Sequence, residues 1–241
     1  MEQRLRCSDV SNDASVGTHQ KIDLAGLNRF SDVIDGGADV DTLNLTDGND
    51  AFFIEDIYSD LHPSFEDYFA TALVVEGTPS SVARIVNLEV INAGEGNDIV
   101  DLTSSNYILA NAIEINGEAG NDVLWGSNSD DTINGGTGDD SIFGGTGSDT
   151  LSGGTGADIF QFTATSGSDD ILDFDITQDS IQLYYRAGDD HTNADLDLTN
   201  GVLTWDVLID DVDNVVIDLS ATVTSSDLND LDALISFVEI V

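Results

Sequence analysis

The chain has 241 residues and carries 47 acidic side chains against 6 Lys and Arg, a formal charge of −41. No Lys or Arg stands between Arg84 and Arg186, and none follows Arg186. Binding to nucleic acid or to an anionic membrane surface is therefore excluded, because both need basic side chains against phosphate. Hydrophobic residues make up 40 % of the chain and fall in short runs, which marks a folded acidic protein rather than a disordered one. A salt-adapted acidic surface is the alternative reading; self-repulsion of this size calls for bound cations.

In chain order, residues 1–26 form a poorly defined N-terminal segment. The stretch Met1–Phe30 holds no apolar core of a cleavable signal, and Cys7, the lone cysteine, cannot form an internal disulfide. No apolar run exceeds four residues, so no transmembrane helix is expected. Residues 27–116 read as an irregular β-solenoid with an inserted loop near 55–82, which contains His62 and Pro63. Strand-like segments there are Ala51–Ile54, Ala72–Val75, Arg84–Ile91, Tyr107–Ala110 and Ala112–Ile115. Two nonapeptides, GGADVDTLN (Gly36–Asn44) and AGEGNDIVD (Ala93–Asp101), keep an acidic sixth residue, Asp41 or Asp98, and an apolar eighth, Leu43 or Val100.

Residues 117–161 are the decisive block. They read GEAGNDVLW, GSNSDDTIN, GGTGDDSIF, GGTGSDTLS and GGTGADIFQ in unbroken register. The last three match G-G-x-G-x-D-x-U-x throughout, with U a large apolar residue. The eighth places, Leu124, Ile133, Ile142, Leu151 and Phe160, predict an inward ladder, with the last three residues of each nonapeptide forming a short strand. Two nonapeptides make one coil, so Leu124, Ile142 and Phe160 belong to one sheet and Ile133 and Leu151 to the other. Of 23 glycines, 14 lie between Gly94 and Gly156, so they serve this block rather than loops in general. One large apolar side chain does not offset the conformational entropy of ordering a whole nonapeptide, and each repeat also carries uncompensated carboxylates. A hard cation with six to eight oxygen ligands removes both difficulties, and its binding then supplies folding free energy. Ordinary turn chemistry without metal is the alternative.

The block resembles the RTX family of calcium-binding nonapeptide proteins. The resemblance implies an all-β, right-handed parallel β-roll or β-solenoid with calcium-binding turns, flanked by less regular β-structure and a C-terminal hairpin or cap. It also implies several Ca²⁺ ions, each between turns one coil apart. One turn gives the carbonyls of its first and third residues and often the fifth side chain. The other gives the carbonyls of its second and fourth residues and the sixth-place Asp. Carried onto this chain, Asp122, Asp140 and Asp158 line one edge, and Asp131 and Asp149 the other; Asp98 and Asp41, in upstream copies irregularly spaced from their neighbours, are the further candidate ligands, set against metal-free turns. The matching backbone and fifth-place positions are Gly117, Ala119, Asn121, Gly135, Gly136, Thr137, Gly138, Asp139, Gly144, Gly145, Thr146, Gly147, Gly153, Gly154, Thr155 and Gly156. The repeat at Gly126 departs from the pattern, with Ser127 and Ser129 in place of glycines, which weakens its site.

Residues 162–223 read as a closing β segment, with a hairpin of Val202–Val207 and Val215–Leu219 around an acidic turn. Residues 224–241 read as a C-terminal type I secretion signal by resemblance. Leu228, Leu231, Leu234 or Ile235, and Val238 fall at helical spacing there, with Ser225 or Ser226 as N-cap. No H-E-x-x-H, G-x-S-x-G or P-loop occurs, so no enzyme is expected. Tyr68 and Trp125 are the candidate sugar contacts, set against loop packing and surface stacking. The functional expectation is a calcium-dependent folding and secretion module of an RTX protein that is secreted or held at the cell surface. Its partners are calcium and the type I secretion apparatus. The alternatives are an adhesin or surface-layer module meeting a glycan or protein, since Ala83–Leu102 resembles stretches of large RTX adhesins, and the accessory domain of a secreted hydrolase.

Overall fold

A computed structural model describes residues 34–36, 38, 40–45, 47–54, 85–103, 109, 111–186, 196–199, 202–206, 214–219 and 235–240. All regular structure among them is β, in two long sheets and one two-stranded pair. Strands are numbered along the chain. The seven-stranded sheet stacks β3 (Ala51–Phe53), β6 (Ile99–Asp101), β8 (Val123–Trp125), β10 (Ser141–Phe143), β12 (Ile159–Thr163), β14 (Ser180–Arg186) and β18 (Ile235–Ile240). The nine-stranded sheet stacks β2 (Thr42–Asn44), β5 (Val90–Glu95), β7 (Glu114–Ala119), β9 (Thr132–Thr137), β11 (Thr150–Thr155), β13 (Ser168–Ile171) and β17 (Asn214–Asp218), then β16 (Val202–Asp206) and β15 (Leu196–Thr199). β1 (Ile34–Asp35) pairs with β4 (Ile85–Val86).

Apart from the antiparallel β15–β16–β17 at one end, successive strands of each sheet pair in parallel, so the chain alternates between sheets and advances one coil per two strands, a β-solenoid. The eighth-place side chains meet in register: Phe52, Val100, Leu124, Ile142, Phe160 and Ile181 in one sheet. Leu43, Ile91, Ile115, Ile133, Leu151 and Ile171 do so in the other. All twelve are buried, which is the expected inward ladder extended at both ends.

Inside the repeats each coil is two nonapeptides long, as from Leu124 to Ile142 or from Ile133 to Leu151. Upstream the steps lengthen, from Val100 to Leu124 and, longer still, from Phe52 to Val100. Both longer steps arise in the passages from the seven-stranded to the nine-stranded sheet, at 54–89 and 102–113. The expected upstream irregularity is thus insertion into one edge of a regular coil. The expected loop near 55–82 and the strand Ala72–Val75 lie outside the described residues.

Several expectations are corrected. Strands of the nine-stranded sheet inside the repeats have six residues, not three, because parallel pairing continues through Gly136–Gly154 and Thr137–Thr155. Arg84–Ile91 is not one strand: Asn87 adopts φ 52°, and the backbone breaks between β4 and β5. Of Tyr107–Ala110 only Leu109 is described, and it lies outside any strand. Most consequentially, Ile235–Ile240 is a strand, not the end of a helix. Helical spacing is overridden because β14 offers a row of backbone partners in parallel register, with Ile235 beside Ile181. The expected hairpin is present as antiparallel β16–β17, with β15 added.

Trp125 and Phe143 meet edge to face on the seven-stranded sheet, ring centroids 6.2 Å apart, and Trp125 is buried, so it stacks as one reading expected but is neither a surface residue nor an exposed sugar contact. Tyr68 lies outside the described residues.

Candidate metal centre

Each coil turns twice. The turns from the nine-stranded to the seven-stranded sheet form edge one; the return turns form edge two. On edge one the sixth-place carboxylates build a continuous rail. The backbone N–H of Asp50 donates to Oδ1 of Asp98 (2.7 Å), Asp98 to Asp122, Asp122 to Asp140 and Asp140 to Asp158 (2.8 Å each), and Asp158 to Asp179 (3.0 Å). On edge two the N–H of Asp131 donates to Oδ1 of Asp149 (2.8 Å), and that of Asp149 to Asp169 (2.9 Å).

A second rail runs in the opposite sense. Oδ1 of Asn49, Asn97, Asn121 and Asp139 accepts from the N–H of the fifth residue one coil later, Asn97, Asn121, Asp139 and Ala157, at 2.8–3.0 Å. The fifth-place side chains Asn121 and Asp139 thus already have backbone partners. The carbonyls of the third-place residues Ala119, Thr137 and Thr155 accept from the N–H of Gly96, Gly120 and Gly138 at 2.8–2.9 Å.

The sixth-place carboxylates use only one oxygen in this rail. Oδ2 of Asp98, Asp122, Asp140, Asp149 and Asp169 is buried with no hydrogen-bond partner. Each of these residues is no more than 1 % exposed. A buried, ionised, half-satisfied carboxylate is costly, so each such group needs a proton or a cation. The carboxyls are pushed up accordingly: Asp98 and Asp140 to about 6, Asp122 and Asp149 to about 7, and Asp169 to about 8. Desolvation by burial is the largest cause in each, with neighbouring carboxylates adding to it. Asp158 is likewise pushed up to about 6, chiefly by burial.

The glycines show where these oxygens point. A Cβ on Gly117 would lie 2.6 Å from Oδ2 of Asp122 and would also strike the Gly135 carbonyl. A Cβ on Gly135 would lie 2.6 Å from the Gly153 carbonyl and would strike Oδ2 of Asp140. Gly144 and Gly153 meet Oδ2 of Asp149 and Asp158 in the same way. None of these first-place glycines has positive φ, so they are glycines for space. At Gly117 and Gly135 the space they leave gathers a carboxylate oxygen of the same repeat and a carbonyl of the next coil. The second- and fourth-place glycines differ: Gly136 and Gly138 adopt φ 105° and 131°, with the carbonyls of Glu118 and Gly120 pressed against their Cα atoms. Gly145, Gly147, Gly154 and Gly156 repeat this, as the third-place Thr146 repeats Thr137 and Thr155 in sequence.

Among the described residues no three His, Cys, Asp or Glu side chains cluster. A cation here would draw on one carboxylate oxygen per repeat and otherwise on backbone carbonyls. Hard oxygen donors of this kind fit Ca²⁺.

Three rungs depart from this arrangement. Both oxygens of Asp131 are hydrogen-bonded, Oδ1 by the Ile113 N–H (2.8 Å) and Oδ2 by the Ser127 N–H (2.6 Å) and hydroxyl (2.8 Å). Asp179 is the last described rung of edge one, its Oδ2 taking the Asp175 N–H at 2.7 Å. The carboxylate of Asp173 takes the N–H groups of Gly153 and Gly154 (2.9 Å each) and the Ser152 hydroxyl, against the last full repeat. Asp50, Asp169 and Asp179 were not singled out in the sequence. Gly48-Asn49-Asp50-Ala51-Phe52 and Gly167-Ser168-Asp169-Asp170-Ile171 keep the fourth to eighth places of the repeat, a signal that the missing leading glycines obscured.

A family model described as the RTX calcium-binding nonapeptide repeat matches residues 28–52, 89–109, 114–142 and 125–160. No curated protein matches the chain. The matched stretches contain Asp41, Asp50, Asp98, Asp122, Asp131, Asp140, Asp149 and Asp158, the sixth-place residues of both edges from the first described coil to the last full repeat. Stacked in register as a parallel β-solenoid, these calcium-binding repeats make the chain an RTX-repeat protein.

Proposed function

We propose that this chain is a calcium-dependent folding module of an extracellular RTX protein exported by the type I route. The observation that carries it is the row of buried, half-satisfied carboxylates at Asp98, Asp122, Asp140, Asp149 and Asp169. Without a cation these groups oppose folding; with one they become its ligands. The ions are held by Oδ2 of these residues and of Asp158, together with first- to fourth-place carbonyls such as those of Gly117, Gly135, Gly136, Gly138 and Gly153. The ion supplies charge neutralisation and oxygen coordination; the chain's own residues supply the space and the fixed spacing. Extracellular calcium modules work at about 10⁻⁴–10⁻³ M. Cytosolic calcium lies far below that range, so the chain stays unfolded and threadable inside and folds outside. The module does no chemistry of its own on this reading. Circular dichroism tests it: a largely unfolded spectrum in chelator and parallel β-structure at millimolar calcium are expected. A spectrum unchanged by calcium would remove the reading.

A further inference from the structure

The repeat at Gly126 is built unlike its neighbours, and four observations there converge. The second oxygen of Asp131 is taken by the N–H and the hydroxyl of Ser127, whereas that of Asp149, one coil on, has no hydrogen-bond partner. In the preceding coil of edge two the rail position that donates to Asp131 is Ile113, buried and without a side-chain oxygen, so the carboxylate rail stops there. Ser129 donates its N–H to the Ser127 hydroxyl (3.2 Å) and its own hydroxyl to the Leu109 carbonyl (2.7 Å). The Leu109 N–H in turn donates to Oδ1 of Asn128 (3.1 Å). Leu109 belongs to the longer 102–113 passage, so this turn grips the inserted segment directly above it.

We propose that the turn Ser127–Ser129 is a metal-free lock on edge two. The Ser127 hydroxyl and N–H satisfy the Asp131 oxygen whose counterpart at Asp149 has no hydrogen-bond donor. Ser129 and Asn128 then tie Leu109 of the inserted passage to the repeat at Gly126. Among the described rungs from Ile113 downstream, edge two therefore takes calcium only from Asp149 onward, while edge one is calcium-bearing from Asp98. The solenoid passes from its insertion-bearing part to its calcium-bearing part through a rung that needs no ion. The contrast between rungs rests on the calcium reading above; the lock itself rests on the hydrogen bonds.

Native mass spectrometry of the calcium-loaded full chain counts the ions, and thermal unfolding measures the lock. Asp131→Asn is expected to leave the count unchanged, whereas Asp140→Asn lowers it. Restoring the repeat's glycines with Ser127→Gly and Ser129→Gly adds one ion. Ser127→Ala lowers the unfolding midpoint by about 2–4 °C, the shift expected for one net hydrogen bond in a chain of this size, and by the same amount at low and high millimolar calcium. A count that falls by one in Asp131→Asn overturns the lock, because Asp131 is then a ligand. A Ser127→Ala midpoint equal to wild type also overturns it. If Asp140→Asn too leaves the count unchanged, the calcium reading fails instead, and the Ser127→Ala midpoint still decides the lock.

Discussion

Asp140→Asn separates the two roles of a sixth-place carboxylate. Oδ1 of Asp140 accepts the Asp122 N–H at 2.8 Å, and an asparagine oxygen keeps that bond. What changes is the buried Oδ2, which becomes an amide nitrogen close to the Gly153 carbonyl. Burial holds the native carboxyl at about 6 instead of 3.8, so at pH 8 its ionisation opposes the metal-free fold by roughly 3 kcal/mol, at about 1.4 kcal/mol per pH unit. Removing the charge should therefore leave the metal-free solenoid as stable as wild type or more so, by at most that amount. The calcium-loaded form moves the other way, since one anionic ligand is lost and an N–H replaces it among carbonyl oxygens. A rise of tenfold or more in the calcium midpoint is expected, equivalent to about 1.4 kcal/mol or more. The assay has two arms, both read by circular dichroism: folding by an excluded osmolyte in chelator, and folding by calcium titration. Opposite signs in the two arms are required. Equal destabilisation in both would mean that Asp140 is only a backbone acceptor, and the argument from the half-satisfied carboxylates would fall.

The raised carboxyls also set the pH response. In the metal-free fold they hold protons that the unfolded chain, with carboxyls near 3.8, has released, so their stabilising contribution is full below about pH 4, falls progressively as pH rises above that, and is gone above the folded values of about 6 to 8. In chelator, β-structure should therefore be greater at pH 5 than at pH 8. Calcium reverses the dependence: its midpoint rises as pH falls below about 6, and calorimetry in buffers of different ionisation enthalpy detects protons released on binding. Gly136→Ala forces a side chain onto φ 105° and into the Glu118 carbonyl; a loss of about 2 kcal/mol or more is expected, against almost none for Ser141→Ala on the outer face. Ile142→Ala, at the fully buried centre of one ladder, should cost about 2–5 kcal/mol and raise the calcium midpoint, since binding and folding are linked.

Local pattern alone settled the middle of this protein. Five nonapeptides in phase place Leu124, Ile142 and Phe160 on one sheet and Ile133 and Leu151 on the other, because the coil closes at every second repeat and a strand alternates its faces. The glycines and sixth-place aspartates were legible for the same reason. What lay beyond local pattern was decided by stacking. Asp50 and Asp169 join the rails because parallel register sets them beside Asp98 and Asp149, across unequal steps that no fixed period reveals. Ile235–Ile240 follows helical spacing in sequence yet becomes a strand, because β14 presents unpaired backbone that a parallel strand satisfies. The Ser127 substitution could be read only as a weakened site. That its hydroxyl turns onto Asp131 and leaves that carboxylate fully bonded depends on side-chain direction, which only the folded coil fixes.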